Sequence, residues 1–243
     1  MKTTAFWLLF LFTGFTMMAQ VDSVKTFRPG KYNFSAEVNF KPFSADAPIS
    51  INGFRGRLFL GNKLAVRLGC NFAMKKTYDE YPAGYGMGTF INSDDERYTV
   101  IGISSGLEYH FLNSKRFSPY AGVSIGFENK SSKGVYEDAD YSGTSYQMVE
   151  TEIKNAWGYY TGGSSNYLER GYTSIATNLV LGADVYIIKH LYLGLELGLG
   201  YNAIFYKKIE VTVDGNVSST IPKAKESDFG INVNNSIRLG FWF

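Results

Sequence analysis

The sequence predicts an all-β fold: an eight-stranded antiparallel up-and-down transmembrane β-barrel with short periplasmic turns and long extracellular loops. Three observations lead there. Eight stretches alternate apolar and polar residues with a period of two. The connections between them alternate long and short. Arg97 at the start of the fourth stretch aside, the apolar set is free of Lys, Arg, Asp and Glu, whereas the opposite set carries charges of both signs.

The last stretch shows the period most fully. Phe229, Ile231, Val233, Asn235, Ile237, Leu239, Phe241 and Phe243 form one set, against Gly230, Asn232, Asn234, Ser236, Arg238, Gly240 and Trp242. A strand this long needs partners on both edges, and closing a barrel supplies them.

The amino-terminus reads differently. Met1-Lys2 is followed by an apolar run from Ala5 to Phe15 and by Met17-Met18-Ala19. This pattern predicts a cleaved secretory signal over residues 1–19. The run is shorter than the ~20 residues a membrane-spanning helix needs. Residues 20–30 read as a periplasmic lead-in and 31–243 as the barrel domain.

Taken in order, the first strand alternates over Lys31–Lys41 and the second over Ile51–Leu60, joined by a loop at Pro42–Pro48. Gly61-Asn62 is a hairpin signal before the third strand, Lys63–Lys75. A polar loop over Lys76–Glu96 leads to the fourth, Arg97–Phe111. A modest turn then gives the fifth, Pro119–Asn129. Lys130–Gly171 is the longest stretch read as irregular. The sixth strand is Tyr172–Ile188 and the seventh Leu191–Tyr206, with Lys189-His190 between them as a tight turn. A polar loop around Asp214-Gly215-Asn216 precedes the last strand.

The same period would also describe a soluble barrel with its faces reversed. Size decides between the two. Eight strands enclose a narrow interior, which the Gly/Ser-rich polar set fits and the Leu/Phe/Val/Ile set would overfill. The polar set is therefore assigned to the lumen. Its charges are Glu37, Arg55, Arg57, Arg67, Glu108, Glu128, Asp184, Glu196 and Arg238. Paired, they would plug the lumen; left open, they would form a selectivity network. Lumen glycines such as Gly102, Gly122 and Gly194 are expected to relieve crowding. Phe40, Phe72, Tyr109, Tyr201 and Phe241 are expected in interfacial girdles.

Several function classes are disfavoured. A net charge of +2 without a basic cluster argues against nucleic acid. The lone Cys70 lies in an apolar strand set and reads as packing. The two histidines, His110 and His190, sit toward the short-turn end, His110 at the rim and His190 in a turn. No Ser–His pair can then form in the long loops, so the chain reads as a non-enzyme with no cofactor and no metal. Gly84–Gly88 and Gly194–Gly200 do not open helices and are not dinucleotide loops. The long third outer loop carries Tyr136, Tyr141, Tyr146, Trp157, Tyr159, Tyr160 and Tyr167. Aromatics among Gly and Ser suit an adaptable contact surface for an extracellular protein or glycan. The alternative is that Tyr146–Lys154 extends the barrel as a hairpin on which the tyrosines pack.

The signal, the strand pattern, the loop asymmetry and the terminal Phe241-Trp242-Phe243 together resemble small bacterial outer-membrane barrels of the OmpA/OmpX type. They are also similar to the porin-family "outer membrane protein beta-barrel domain" proteins common in Bacteroidetes. The resemblance implies outer-membrane lipid and lipopolysaccharide as surroundings, a monomer, and Phe243 as the signal read by the barrel-assembly machinery. It does not carry over the peptidoglycan-tethering role of OmpA. The expected function is structural or surface interaction through the outer loops. The alternatives are a narrow channel for ions or small solutes, or an accessory barrel of a secretion apparatus of the PorT type.

Overall fold

The structure, a computed structural model, describes residues 27–40, 51–83, 90–111, 114–141, 143, 145–158, 160–161, 164–165, 168–233 and 237–243. The signal reading over 1–19 and most of the lead-in lie outside them. The strands are β1 (Phe34–Phe40), β2 (Ile51–Phe59), β3 (Leu64–Pro82), β4 (Ile91–His110), β5 (Phe117–Tyr141), β6 (Tyr146–Lys154), β7 (Tyr160–Thr161), β8 (Ser164–Ser165), β9 (Tyr172–Ile188), β10 (Leu191–Tyr206), β11 (Ile209–Val213), β12 (Asn216–Ile221), β13 (Ala224–Val233) and β14 (Ile237–Trp242).

All of these except the small β7–β8 pair belong to one antiparallel sheet of 12 strands. Within it, β1, β2, β3, β4, β5, β9, β10 and β14 hydrogen-bond in a closed ring, sealed where Ser35 to Phe40 of β1 pair with Trp242 to Ile237 of β14. β13 continues β14 along β10. Leu197 pairs with Val233, while Gly194 pairs with Arg238, so the register moves by two residues between the two segments. An even offset keeps alternation in phase, whereas an odd one would turn the apolar set inward. Phe229 and Ile231 thus stay on the same outer face as Leu239 and Phe241.

Alternation becomes inside and outside. On β10, Tyr192, Gly194, Glu196, Gly198 and Gly200 are buried, while Leu195, Leu197, Leu199 and Tyr201 are exposed. The outer band includes Leu68, Phe72, Ile103, Leu181 and Leu195, each more than 60% exposed. Cys70 faces outward with them. The exposed apolar side chains therefore encircle the ring, and the buried charged ones fill it.

Three stretches read as loops are in fact strand. β3 and β4 run through Lys76–Pro82 and Ile91–Glu96; β5 runs to Tyr141; and β6, β11 and β12 add a further layer of hairpins beside it. The β3–β4 part of the extension is polar on both faces, so it shows no period-two hydrophobic signal. In β5, β6 and β11 the apolar side is short, with Tyr136, Ile153, Ile209 and Val211 packing beside Ala156 in a small core of their own. The extension is paired sheet nonetheless, so Lys130–Gly171 is not one long irregular loop.

Inward glycines sit opposite large inward side chains. A Cβ on Gly182 would lie 2.3 Å from the Tyr120 ring, and one on Gly240 would lie 2.0 Å from the Tyr192 ring. These pairs are direct register partners in the ladder, Tyr120↔Gly182 and Tyr192↔Gly240. Each ring lies across the glycine of the adjacent strand, which is how two tyrosines fit in so narrow a space.

Gly182→Val should force the Tyr120 ring out of place and destabilise the folded ring by ~1–3 kcal/mol, the cost of overpacking a close-packed interior. Urea unfolding of the variant in lipid or detergent, followed by gel mobility with and without heating, measures this loss.

Candidate functional site

Every strand of the ring sends a side chain to one cluster inside it. Glu37 comes from β1, Arg55 and Arg57 from β2, Arg67 from β3, Glu108 from β4, Asp184 from β9, Glu196 from β10 and Arg238 from β14. β5 supplies Tyr120. Four arginines meet four carboxylates, so the formal charges cancel.

The pairing is many-to-many. Arg57 contacts Glu37 and lies 2.9 Å from Glu108 and 2.8 Å from Asp184. Arg67 reaches Glu108 at 2.9 Å and holds both oxygens of Glu196 at 2.9 and 3.1 Å. Arg238 lies 3.3 Å from Glu37, 3.2 Å from Asp184 and 3.6 Å from Glu196. Arg55 lies 3.0 Å from Glu196 and 3.9 Å from Glu37. Tyr120 donates to Glu196 at 2.7 Å and Tyr192 to Glu37 at 2.6 Å. The Arg57 guanidinium also lies over the Tyr192, Tyr120 and Phe59 rings at 5.1, 5.7 and 5.6 Å. Ions taken out of water keep their charge only with such partners on every side.

Eight of the nine lumen charges expected from the sequence thus converge. Glu128 does not. It stands farther along β5, accepting from Asn71 Nδ2 at 2.7 Å and from the Tyr172 hydroxyl at 2.5 Å. Tyr120 takes its place from the same strand, since an inward neutral tyrosine carries no charge signal.

Both histidines are placed differently from the sequence reading. His110 is fully buried, not on the rim. Its Nδ1 lies 2.7 Å from Ser118 Oγ and its Nε2 lies 3.7 Å from Glu108. This Ser–His–Glu arrangement is buried, with Ser118 at 0% exposure. Its partners, Glu108 of the network and the Tyr120 ring at 5.2 Å, make it a prop for the charge cluster. His190 is not simply solvated: it adopts φ of 75° in the turn, packs 4.3 Å from the Trp242 ring, and has its Nδ1 2.7 Å from the Trp242 carbonyl oxygen.

A second closure lies at the short-turn end. Tyr186, Tyr192 and Trp242 pack together, and Phe27 seats against them. Trp242 Nε1 donates to the Phe27 carbonyl at 2.9 Å, and Phe27 N donates to Lys115 O at 3.2 Å. Arg116 lies 4.6 Å over the Phe27 ring, and Arg28 donates to Asn62 O at 3.1 Å. Residues 27–30 are therefore a strap tied to two turns and the last strand. Phe243 ends the chain beside it, exposed, with its backbone bonded to Phe34 and its ring stacked on that of Phe34.

The aromatic loop divides. Tyr136 and Trp157 are buried, so they are not free contact residues. Tyr136 donates to Glu96 at 2.8 Å and accepts from Gly158 N at 2.7 Å; Trp157 packs 5.4 Å from Tyr98. Tyr141 and Tyr146 meet at 5.1 Å beside the hairpin tip, with Tyr141 exposed. Tyr160 lies in β7, and Tyr159 and Tyr167 lie outside the described residues. Among the described residues no group of three His, Cys, Asp or Glu is placed to hold a metal ion.

On the extension, Tyr81 Oη lies 3.3 Å from Asp94 and 3.5 Å from Asp138. Burial pushes both carboxyls up, and for Asp94 the charge of Asp138 adds to this; the Tyr81 hydroxyl offsets part of the shift.

No family model matches this sequence, and no curated protein matches it. Two solved structures are similar. A major outer membrane protein from Thermus thermophilus is 16% identical, over 89% of this chain and 100% of that one, with a TM-score of 0.35. The outer membrane protein AlkL, solved in DMPC bilayers by solid-state NMR, is 11% identical over 92% and 96%, with a TM-score of 0.31.

Two outcomes are expected. Arg57→Ala leaves Glu37, Glu108 and Asp184 short of a cation and should cost ~3–5 kcal/mol in urea unfolding, as removal of one partner of a buried pair does. At the extension, a folded-state pKa raised above the unfolded value means that these carboxyls stabilise most below the unfolded pKa. That contribution is lost as pH rises through the folded pKa. Asp138→Asn should therefore slow amide exchange in β4–β5 near Asp94 at neutral pH, and the difference should shrink on acidification.

Proposed function

We propose that this chain is a non-enzymatic outer-membrane β-barrel with a closed lumen, whose role is structural or surface interaction through its outer extension. The observation that carries the reading is the inside-out distribution of side chains. A closed ring of eight strands presents its Leu, Ile and Phe outward and holds four arginines and four carboxylates within. In lipid every backbone polar group must be paired within the chain, and closing the ring where β1 meets β14 supplies those partners at the level of the charge cluster. In water the same band would be an uncovered apolar patch around the whole molecule.

The short turns at residues 60–63 and 189–190 fall on the same end of the ring as the strap. That end is read as periplasmic. The sheet of β5, β6, β11 and β12 then rises on the cell-surface side, with Tyr141 and Val217 exposed on it as contact residues for an external partner. Phe243 stands at the periplasmic end, where the assembly machinery would meet it.

A closed lumen favours the structural reading over the channel. The charge cluster draws on seven strands and Tyr120 on the eighth, and the aromatic strap adds a second barrier below it. Refolded protein, shown to be barrel by heat-modifiable mobility, should give no steady conductance in a planar bilayer. Arg67→Ala should stay nearly silent, because the strap still closes the mouth. A steady ion-selective current through the unmodified protein would overturn the closed-lumen reading.

A further inference from the structure

The short-turn end of the ring differs in charge from the rest of the molecule. Its turns and strap carry Arg28, Lys31, Lys63, Lys115, Arg116 and Lys189, and residues 27–33, 60–64, 111–117 and 187–191 contain no Asp or Glu. The carboxylates that follow along the strands, Glu37, Glu108 and Asp184, are turned into the lumen and held by the arginines of the cluster. The opposite end mixes its signs: Lys76 pairs with Asp95, Lys133 with Glu152 and Lys208 with Glu210. Lys31 stands before β1, Lys63 between β2 and β3, and Lys189 between β9 and β10, all three exposed. Positive charge is therefore distributed around the rim.

A second observation sets the height of these cations. At the same end Tyr32, Phe34, Tyr109, Phe111, Phe241 and Phe243 are all exposed. They meet one another in a belt: Phe34 stacks on Phe243, Phe243 lies 5.1 Å from Phe241, and Tyr109 lies 5.7 Å from Phe111. The ammonium of Lys31 lies 4.8 Å over the Tyr32 ring, and that of Lys63 lies 6.0 Å over the Tyr109 ring. Outward aromatics that border an apolar band mark the level of a membrane interface. Lysines at that level lay their stems along apolar surface and keep their charge among the headgroups.

The placement selects the partner. A soluble polyanion would be met by cations gathered across the mouth. Here the mouth holds the aromatic strap, with Arg116 over the Phe27 ring and Arg28 on the Asn62 carbonyl. Lys31 and Lys63 stand instead over aromatic rings of the belt, and Lys189 adjoins the exposed Ile187 and Ile188. Each cation thus has apolar surface beside it on which an acyl chain can lie. We propose that the short-turn rim binds anionic phospholipid headgroups, with Lys31, Lys63 and Lys189 on the phosphates and the acyl chains along the belt. The proposal rests on the reading of this chain as a membrane barrel and adds a lipid preference to one of its ends.

Native mass spectrometry of the folded full-length barrel in zwitterionic detergent, titrated at low salt with dioleoylphosphatidylglycerol or dioleoylphosphatidylcholine, is the test. The anionic lipid should bind more tightly, by roughly fivefold for each lysine engaged. The preference should shrink as salt rises. Lys31→Gln with Lys63→Gln and Lys189→Gln should lose most of it, and gel mobility should show this triple variant folded, since all three side chains are exposed. Lys76→Gln with Lys133→Gln and Lys208→Gln, at the opposite end, should keep it. Inorganic phosphate at the same concentration should displace little lipid, because it has no acyl chain to lay on the belt. Equal binding of the two lipids, an unchanged preference in the folded triple variant, an equal loss in the opposite-end variant, or full displacement by phosphate would each overturn the proposal. So would binding of isolated peptidoglycan through the same three lysines without any lipid preference. A protein that gives a heat-modifiable band yet shows no preference remains a barrel and loses only the lipid. One that fails to insert into vesicles loses the barrel reading as well.

Discussion

Eight strands leave room inside for side chains and little else. That constraint accounts for the charge cluster. Isolated guanidinium and carboxylate groups cannot be kept ionised in such a space, and breaking any one pair strands its neighbours. Here each arginine meets at least two carboxylates and each carboxylate at least two arginines, so the cluster behaves as one unit. Because its members come from every strand of the ring, it forms only when the ring is closed. It therefore ties the first strand to the last more firmly than the six register pairs of β1 and β14 do alone.

The same narrowness explains the glycines and tyrosines. Tyr120 and Tyr192 fit because Gly182 and Gly240 leave the adjacent strand bare beneath their rings. Their hydroxyls then reach Glu196 and Glu37, so two apolar bodies with polar tips fill volume and finish the hydrogen bonding of the ions. Above this level the wall carries small residues such as Ser124, Asn178 and Gly198, and the space that the tyrosines occupy below becomes a cavity of about 550 Å³. The seal and the cavity are two consequences of where the large inward residues stop.

Some of the site was readable beforehand and some was not. Glu37, Arg57, Arg67, Glu108, Asp184, Glu196 and Arg238 stand in the polar set of alternating strands, and alternation says which face a residue takes. It does not say at what height. Glu128 shares the inward face but sits above the cluster, because its position along β5 depends on the stagger between strands. His110 closes the inner set of β4 and is buried because Ser118 and the Phe59 and Tyr120 rings cover it. Trp157 and Tyr136 looked like surface aromatics, yet the strands around them continue past the apolar band and enclose them.

The sequence by itself determined which residues face outward, how many strands close the ring, and that the inward charges are of both signs. These follow from a two-residue period and from composition, which are local properties of the chain. Only the tertiary structure decided which charges meet, that Tyr120 stands in for Glu128, that residues 27–30 strap the mouth, and that the polar loops are paired sheet. Each depends on register and stagger between strands distant in sequence. A hydrogen-bonded ladder sets those quantities, and no single strand carries a signal for them.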